Sequence, residues 1–240
     1  MTTLRVEEIE IEVHDPVFFS TREANKKITT GRYLHNYALT YSLLYAAGEL
    51  ESLTEYSKRW EKTSDEGPKY EEDFESLDIY VFPARPIDID FTTEVVNTTS
   101  ETYHEEITAE RAKRYFSGHT LQRIDVGSTF QTYALIDNDF TLPHTSRLGK
   151  FMGKIKLKSK QREWNQKDLD DVRLDPVLNV MDLPMEFHNK TSQMKIEKMR
   201  PSPVMTAAVY SGDCIALETP EGEERTVLPY NVGYFKKENN

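Results

Sequence analysis

The feature that most constrains the fold of this chain is an alternating basic segment between Arg147 and Arg162. It contains seven Lys or Arg residues and no carboxylate, although the chain of 240 residues carries a formal net charge of −11. Successive side chains of a strand point to opposite faces, so even-numbered and odd-numbered positions separate. Five lysines fall on one face and three apolar side chains on the other: Lys150, Lys154, Lys156, Lys158 and Lys160, against Phe151, Ile155 and Leu157. The segment predicts a strand with one core-facing side and a row of ammonium groups about 6–7 Å apart.

Two interpretations of this lysine row stay open at the level of sequence. A row of ammonium groups at this spacing fits the phosphate backbone of a nucleic acid. The same row also fits an edge strand that lysines protect against pairing with other chains. Spacing alone does not separate the two, so other segments have to decide between them.

The acidic balance of the chain argues against a protein that coats nucleic acid with its whole surface. A local basic groove is compatible with it, because salt screens surface charges beyond about 8–10 Å. Charge is also unevenly placed, with acidic runs at 61–78 and 163–175 on either side of the basic segment. A second basic cluster precedes the first predicted helix: Arg22, Lys26, Lys27 and Arg32.

The sequence lacks the residue patterns that disulfides, common metal sites, nucleotide-binding loops and membrane spans require. Cys214 is the only cysteine, so we expect no intrachain disulfide, no CxxC metal site and a reduced cytoplasmic protein. The six histidines show no HxH or HExxH spacing, and neither GxGxxG nor GxxxxGK[ST] occurs. No apolar run approaches the roughly 20 residues of a membrane span. The sequence predicts no metal, no cofactor and no membrane partner.

The patterning along the chain predicts an α+β protein. Val6–Val13 alternates as a strand, and Tyr33–Leu50 has a helical pattern that ends near Gly48. Strand-like segments follow, with a solvated acidic excursion at 51–78, and this order favours a ferredoxin-like (RRM-like) core. We place that core at 1–165, and at 166–240 an extension made of an acidic helical piece and a C-terminal β meander. Within the meander, residues 211–213 (Ser-Gly-Asp) predict a hairpin turn.

Two kinds of RNA chemistry fit the residue types present. Binding needs cations for phosphates and aromatic planes for bases, which the basic segment, the second basic cluster, Phe18, Phe19 and Tyr33 could supply. Metal-independent RNA cleavage needs a general acid, a general base and a phosphate-stabilising cation. Residues of those types are present at four positions, although the sequence does not bring them together: His35, Tyr37, His144 and Lys150. The pair Gly149 and Gly153 permits close approach to a phosphate or merely a bulge.

Three segments give the chain a family resemblance. They are 18–23 (FFSTRE) with 33–41 (YLHNYALTY), then 79–86 (IYVFPARP), then 147–154 (RLGKFMGK). In this order and approximate spacing, over roughly residues 5–160, the chain resembles the Csc-one family. That family is the Cas-five-type backbone subunit of type I-D CRISPR effector complexes. The resemblance implies a repeat-associated (RAMP) protein with a ferredoxin-like core, and a non-catalytic subunit of an antiviral, DNA-targeting complex.

The resemblance also implies partners. Such a subunit would hold the 5′ handle of the CRISPR RNA and would contact the large subunit and the repeated backbone subunit. Target DNA near the protospacer-adjacent motif is a further candidate partner. Eleven residues are our candidates for RNA contact, of which His35 and Asn36 could equally bond to the core: Arg22, Lys26, Lys27, Arg32, His35, Asn36, Arg147, Lys150, Lys154, Lys156 and Lys158. The alternatives are an endoribonuclease that processes precursor CRISPR RNA, with His35 or His144 as acid/base, and a pure protein–protein adaptor.

Overall fold

A computed structural model of the chain describes residues 4–24, 27–48, 77, 79–96, 119–136, 140–219 and 225–232. Strands dominate the described ranges, which also contain two α-helices and one 3₁₀ turn. The helices are α1 (Asn36–Ala47) and α2 (Met185–Asn189), with the 3₁₀ turn at Val180–Asp182. The strands are β1 (Arg5–Val13), β2 (Arg22–Ala24), β3 (Lys27–Thr29), β4 (Ile79–Val81), β5 (Arg85–Asp88), β6 (Phe91–Val96), β7 (His119–Ile124), β8 (Thr129–Ile136), β9 (Thr145–Leu148), β10 (Gly153–Arg162), β11 (Trp164–Leu174), β12 (Leu178–Asn179), β13 (Thr191–Glu197), β14 (Val204–Leu217) and β15 (Val227–Pro229).

The first sheet has the strand order β4-β8-β1-β10-β9, with β5 paired to β8. Its neighbouring strands are antiparallel throughout. The alternation predicted for β1 is confirmed, because Ile9, Ile11 and Val13 are each 1% exposed. Together with apolar residues of β8 and β10 they form one apolar cluster, on the face that α1 covers.

Helix α1 is shorter than its pattern predicted, at 12 residues. His35 caps its start by accepting a hydrogen bond from the backbone N–H of Tyr37. Gly48 ends it in the left-handed conformation, with φ of 78°, as expected of a glycine C-cap. Leu39, Leu43 and Leu44 pack into the cluster beneath.

The second sheet centres on the long strand β14, which pairs with β11, β12, β13 and β15. It covers part of the opposite face of the first sheet. Val6 and Leu135 of the first sheet, together with Leu4 just before β1, share an apolar cluster there with residues of β14 such as Ile215. The first sheet is therefore covered on one face by a helix and on part of the other by a second sheet.

Two predictions for the C-terminal part are wrong. The acidic stretch predicted to be helical is strand β11. A bulge between Leu169 and Val172, with Asp171 at φ 48°, shifts its alternation, so its apolar residues fall at spacings like those of a helix. Residues 211–213 do not turn, because β14 runs through them, and Gly212 adopts φ of 146° within the strand.

A third sheet, β2-β3-β7-β6, borders the first. It is joined by a bridge between Val17 and Ile124. Almost all of the acidic excursion predicted at 51–78 lies outside the described residues. No helix in the described ranges is long and apolar enough to cross a membrane.

Candidate nucleic-acid interface

The basic segment forms a hairpin and not the single strand predicted from its alternation. Strand β9 ends at Leu148, a turn spans 149–152, and β10 begins at Gly153. Two consequences correct the sequence interpretation. Lys150 lies in the turn, out of line with the other lysines, and Phe151 is 54% exposed and not part of the core.

Within β10 the predicted separation of faces is confirmed. Ile155 and Leu157 are 0% and 3% exposed and belong to the cluster beneath α1. The lysines of the other face are exposed: Lys154, Lys156, Lys158 and Lys160. Arg147 of β9 lies directly across from Lys154, so it adds a cation to the same face.

The lysine row has a carboxylate row beside it on β1. Glu12, Glu10 and Glu8 lie across from Lys156, Lys158 and Lys160, on the same face of the sheet. Glu10 forms an ion pair with Lys158, with the Nζ of the lysine 3.2 Å from Oε1 of the glutamate. Glu8 accepts hydrogen bonds from Arg162 and from Gln131. The far end of the row is therefore partly neutralised within the chain.

The exposed half of this face, which we call the basic face, still carries an excess of positive charge. By strand register, seven cations and four carboxylates share it: Arg85, Arg147, Lys154, Lys156, Lys158, Lys160 and Arg162, with Glu8, Glu10, Glu12 and Asp88. Lys154 and Lys156 form no ion pair with any residue that the structure describes. The excess is greatest at the β9 end, where Arg147 and Lys154 adjoin.

Close packing of segment 16–18 against the hairpin explains why Gly149 and Gly153 are glycines. A Cβ on Gly149, whose φ is 81°, would lie 2.7 Å from the carbonyl oxygen of Phe18. A Cβ on Gly153 would lie 2.9 Å from the carbonyl oxygen of Pro16. The glycines therefore allow segment 16–18 to approach the hairpin, and their open side is filled by protein backbone and not by space for a phosphate.

The second basic cluster only partly meets the expectation. Arg22, Lys27 and Arg32 are exposed, and Lys26 lies outside the described residues. Arg22 turns toward the C-terminal extension, where it lies 3.8 Å from the carboxylate of Glu197 and donates to the carbonyl of Lys198. Its cation is thus engaged within the protein, whereas Lys27 and Arg32 form no ion pair with any residue in the described ranges.

An aromatic and cationic group lies at the hairpin turn. The rings of Phe18 and Phe151 are stacked, with centroids 5.2 Å apart and planes 18° apart. The guanidinium carbon of Arg123 lies 4.9 Å from the centroid of the Phe151 ring. Sequence reasoning proposed Phe18 but missed Arg123 and assigned Phe151 to the core. The glycine on each side of Lys150–Met152 was the available signal that this piece turns and does not run straight.

His35 and Asn36 lie in the interior, where they are 4% and 0% exposed. They belong to a set of buried polar residues that we call the Asp182 cluster: His35, Asn36, Tyr37, Tyr80, Asn179, Asp182 and Ser202. The carboxylate of Asp182 accepts from the Asn36 amide at 2.7 Å and from the Tyr37 hydroxyl at 2.8 Å. His35, through Ser202, and Asn36, through Asp182, therefore anchor the start of α1 to the C-terminal extension. Neither side chain is accessible to RNA.

Burial shifts the proton affinities within the Asp182 cluster. Loss of solvent lowers the pKa of His35 to about 4, so the imidazole is neutral at physiological pH. Burial raises the pKa of Asp182, and the hydrogen bonds that it accepts from tyrosines and asparagines oppose that rise. These groups stabilise the junction between core and extension, and they are enclosed by the protein.

The residues proposed for RNA cleavage are not brought together. His35 is enclosed, with its Nε2 2.9 Å from the Ser202 hydroxyl. His144 and Lys150 lie beyond opposite ends of β9, whose four residues alone span about 13 Å. Within the described ranges, no group of three or more His, Cys, Asp or Glu is arranged to hold a metal ion.

Several solved structures resemble the chain, including the following two. One is a chain of the cryo-EM structure of the Type III-B Cmr-beta bound to cognate target RNA and AMPPnP. It has a TM-score of 0.49 and 9% identity, and the match covers 88% of this chain and 86% of that one. The other is the crystal structure of a CRISPR protein from Archaeoglobus fulgidus, with a TM-score of 0.43 and 11% identity, covering 94% and 99%. Both likenesses are too distant to carry an argument.

The family comparison is decisive for identity. No curated protein matches the chain. The sequence model of the family described as type I-D CRISPR-associated protein Cas5/Csc1 matches residues 4–237, which is nearly the whole chain. The family proposed from the three short segments is thereby confirmed: the chain belongs to the type I-D CRISPR-associated protein Cas5/Csc1 family.

Proposed function

We propose that this protein is the non-catalytic subunit that holds the 5′ handle of the CRISPR RNA in a type I-D effector complex. The observation that carries the proposal is the basic face. In a chain of net charge −11, it gathers seven cations, and those at its β9 end form no ion pair with any described residue. An RNA backbone is the polyanion that a row of this kind fits.

The carboxylates of β1 make the proposal more specific. Because Glu10 already pairs with Lys158, a phosphate arriving there competes with an intramolecular partner. Arg147, Lys154 and Lys156 form no ion pair with any described residue, so we expect the strongest phosphate contacts at these three residues. Lys150 at the turn, Lys27 of β3 and Arg32 in the loop after β3 are secondary candidates, and Lys158 is the weakest of the row.

The strand arrangement supports a ferredoxin-like RAMP core. In chain order the central elements are β1, α1, β4, β8 and β10, and β1 lies between the last two strands. That is the order of a βαββαβ unit in which β9 and its loops, over the described part of 140–152, stand in place of a second helix. We retain the division into a core at 1–165 and an extension at 166–240 as a proposal.

The partners follow from the family and are proposals for this chain. They are the large subunit and the repeated backbone subunit, with target DNA near the protospacer-adjacent motif as a further candidate. The acidic surface away from the basic face suits docking to basic protein surfaces and discourages RNA from binding elsewhere. The endoribonuclease alternative finds no favourable geometry, because His35 is enclosed and His144 lies beyond the opposite end of β9 from Lys150.

The test mixes purified protein with labelled precursor RNA containing a CRISPR repeat, in EDTA, with and without the other effector subunits. Denaturing gels report cleavage and native gels report retention. We expect intact RNA, retained most strongly when the partner subunits are present. Reversal of charge at Lys154 and Lys156, each to Glu, should abolish assembly on RNA.

Two outcomes would overturn the proposal. A discrete cut by the protein alone, lost in the His144→Ala variant, would make it a processing nuclease. Assembly with partner subunits that survives RNase and high salt, with no RNA retained at any step, would make it a protein–protein adaptor. In the second case the lysines would only protect the sheet against aggregation.

A further inference from the structure

The hairpin turn at 149–152 holds an aromatic ring in an exposed position on a well-defined support. Phe151 is 54% exposed, while Phe18, on which its ring stacks, is only 4% exposed. A buried ring beneath an exposed one fixes the orientation of the outer ring. The exposed aromatic surface is therefore presented in one geometry and does not swing freely on a loop.

The backbone of the turn is fixed as well. The N–H of Lys150 donates to the carbonyl of Phe18 at 2.9 Å, and the N–H of Met152 donates to the carbonyl of Gly149 at 3.1 Å. Gly149 and Gly153 let segment 16–18 approach so closely that a Cβ at either position would meet backbone oxygen. A binding group held in advance loses little conformational entropy when a ligand arrives.

Three cationic side chains lie near this ring. The Arg123 guanidinium lies 4.9 Å from the ring centroid and is ion-paired with Glu94, so it supports the ring and its charge is already engaged within the protein. Lys150, next to Phe151 in the chain, is exposed. Arg147 donates to the carbonyl of Met152 at 3.1 Å, which ties the turn to the β9 end of the basic face.

An aromatic plane with cations around it is complementary to a nucleotide, which combines an aromatic base with a phosphate. An apolar side chain of a protein partner would account for Phe151 but would gain nothing from the exposed cations of Lys150 and Arg147. Unpaired bases of single-stranded RNA stack on aromatic rings and on arginine planes in this way. Continuity with the basic face places base and backbone sites side by side.

We propose that Phe151, supported by Phe18 and flanked by Arg123 and Lys150, receives one unpaired nucleobase of the bound RNA. The inference rests on the proposed function, since the same RNA strand would lie along the basic face. The lysines would set affinity through phosphates without regard to sequence. The ring would fix the register of the strand by accepting one base.

The test uses the full chain and a single-stranded oligoribonucleotide with the sequence of the repeat-derived 5′ end of a CRISPR RNA. A series of these oligonucleotides carries one 2-aminopurine or one abasic site, moved position by position. Affinity and 2-aminopurine fluorescence are measured for wild type, Phe151→Ala, Phe151→Trp and the neighbouring control Met152→Ala. The Lys154→Glu/Lys156→Glu variant tests the backbone contacts separately.

We expect Phe151→Ala to weaken binding roughly tenfold, as loss of one base stack does. Phe151→Trp and Met152→Ala should bind like wild type. One abasic position should weaken wild type by a similar factor and leave Phe151→Ala unaffected, and 2-aminopurine at that position should be quenched only when residue 151 is aromatic. The salt dependence should be unchanged in Phe151→Ala.

Failure of this inference is distinguishable from failure of the proposed function. If RNA binds through the lysines but Phe151→Ala binds as well as wild type at every position, the base site is wrong and the backbone face stands. If that variant keeps its RNA affinity but no longer joins another effector subunit, the ring is a protein contact and the inference is overturned. If wild type binds none of the oligonucleotides and enters no RNA-containing complex, both proposals fail.

Discussion

The basic face and the Asp182 cluster each contain side chains that the sequence assigned to RNA contact: Arg147, Lys154, Lys156 and Lys158 in the first, and His35 and Asn36 in the second. In the basic face Arg147 and the lysines of β10 are exposed, and Lys154 and Lys156 have no ion pair within the described ranges. In the Asp182 cluster every member is buried, and each is hydrogen-bonded to another member. Cations of the basic face can therefore bind a partner. The polar groups of the Asp182 cluster are instead bonded to each other, and these bonds join α1 to the C-terminal extension.

The comparison teaches that residue type determines which interactions a side chain can form. Burial determines whether it forms them within the protein or with a ligand. A buried polar group without a partner is costly, so such groups pair within the fold. An exposed lysine is solvated by water, so it incurs no such cost and remains available to bind a ligand. Within the basic face strand register makes the difference, since exposed Lys158 lies across from Glu10 and pairs with it, whereas exposed Lys154 has no ion pair with any described residue.

The largest effect is expected at the centre of the Asp182 cluster. Asp182→Ala removes the buried carboxylate that accepts hydrogen bonds from Asn36, Tyr37 and Tyr80, so three buried donors lose this acceptor. We expect a loss of about 3 kcal/mol or more in the free energy of unfolding, measured by chemical denaturation. Asp170→Ala, at an exposed position of β11, is the matched control and should change stability by less than about 0.5 kcal/mol. Equal stability of the two variants would contradict a structural role for the cluster.

The pH dependence of stability provides the next largest effect. Because the pKa of His35 is lowered to about 4 in the folded protein, the unfolded chain takes up its proton first as the pH falls. Stability should decrease from about pH 6.5 to about pH 4, by roughly 3 kcal/mol for this group. The raised pKa of Asp182 acts in the opposite direction, adding stability as the pH falls through it.

Comparison with His35→Gln isolates the histidine contribution, since Asp182 is present in both proteins. The difference in unfolding free energy between wild type and variant should shrink as the pH falls from 7 to 4. A difference that stays constant over this range would show that His35 titrates normally in the folded state. The imidazole would then not be enclosed as described.

The smallest effect is expected where the basic face meets the carboxylates of β1. Glu10→Gln releases Lys158 from an exposed ion pair, in which the two side chains are 61% and 48% exposed. Such pairs contribute about 0.2–1 kcal/mol, so RNA affinity should rise by roughly two- to fivefold. Glu186→Gln, an exposed change on α2, makes the same change in net charge and should leave affinity unaltered. Identical affinities of the two variants would show that the glutamates of β1 do not compete with RNA.

Regular local patterns were predictable from the sequence. The alternation of β1, the buried and exposed faces of β10, and the end of α1 at Gly48 all follow from local periodicity and backbone preference. The hairpin within 147–162 was missed because its turn interrupts an alternation that looks continuous in sequence. β11 was taken for a helix because a bulge displaces its apolar residues from strict alternation.

The candidate site was predictable only in part, for a physical reason. The exposed lysine row of β10 could be predicted from the alternate spacing of its lysines. The glutamates that pair with them come from a strand about 150 residues earlier, so their effect depends on register, which local pattern does not reveal. The burial of Asn36 likewise depends on Asp182, which lies 146 residues away along the chain. Arg123 meets Phe151 only because the third sheet adjoins the first.

The most direct test of the central claim is the salt dependence of RNA affinity in the Lys154→Gln/Lys156→Gln variant. For single-stranded RNA each phosphate contact contributes about −0.7 to the slope of log affinity against log salt concentration. We predict that the variant's slope is less steep than that of wild type by about 1.4. A second variant, Lys167→Gln/Lys195→Gln, removes two exposed lysines of the second sheet and should keep the wild-type slope. Equal slopes in all three proteins would contradict a phosphate-binding role for the basic face.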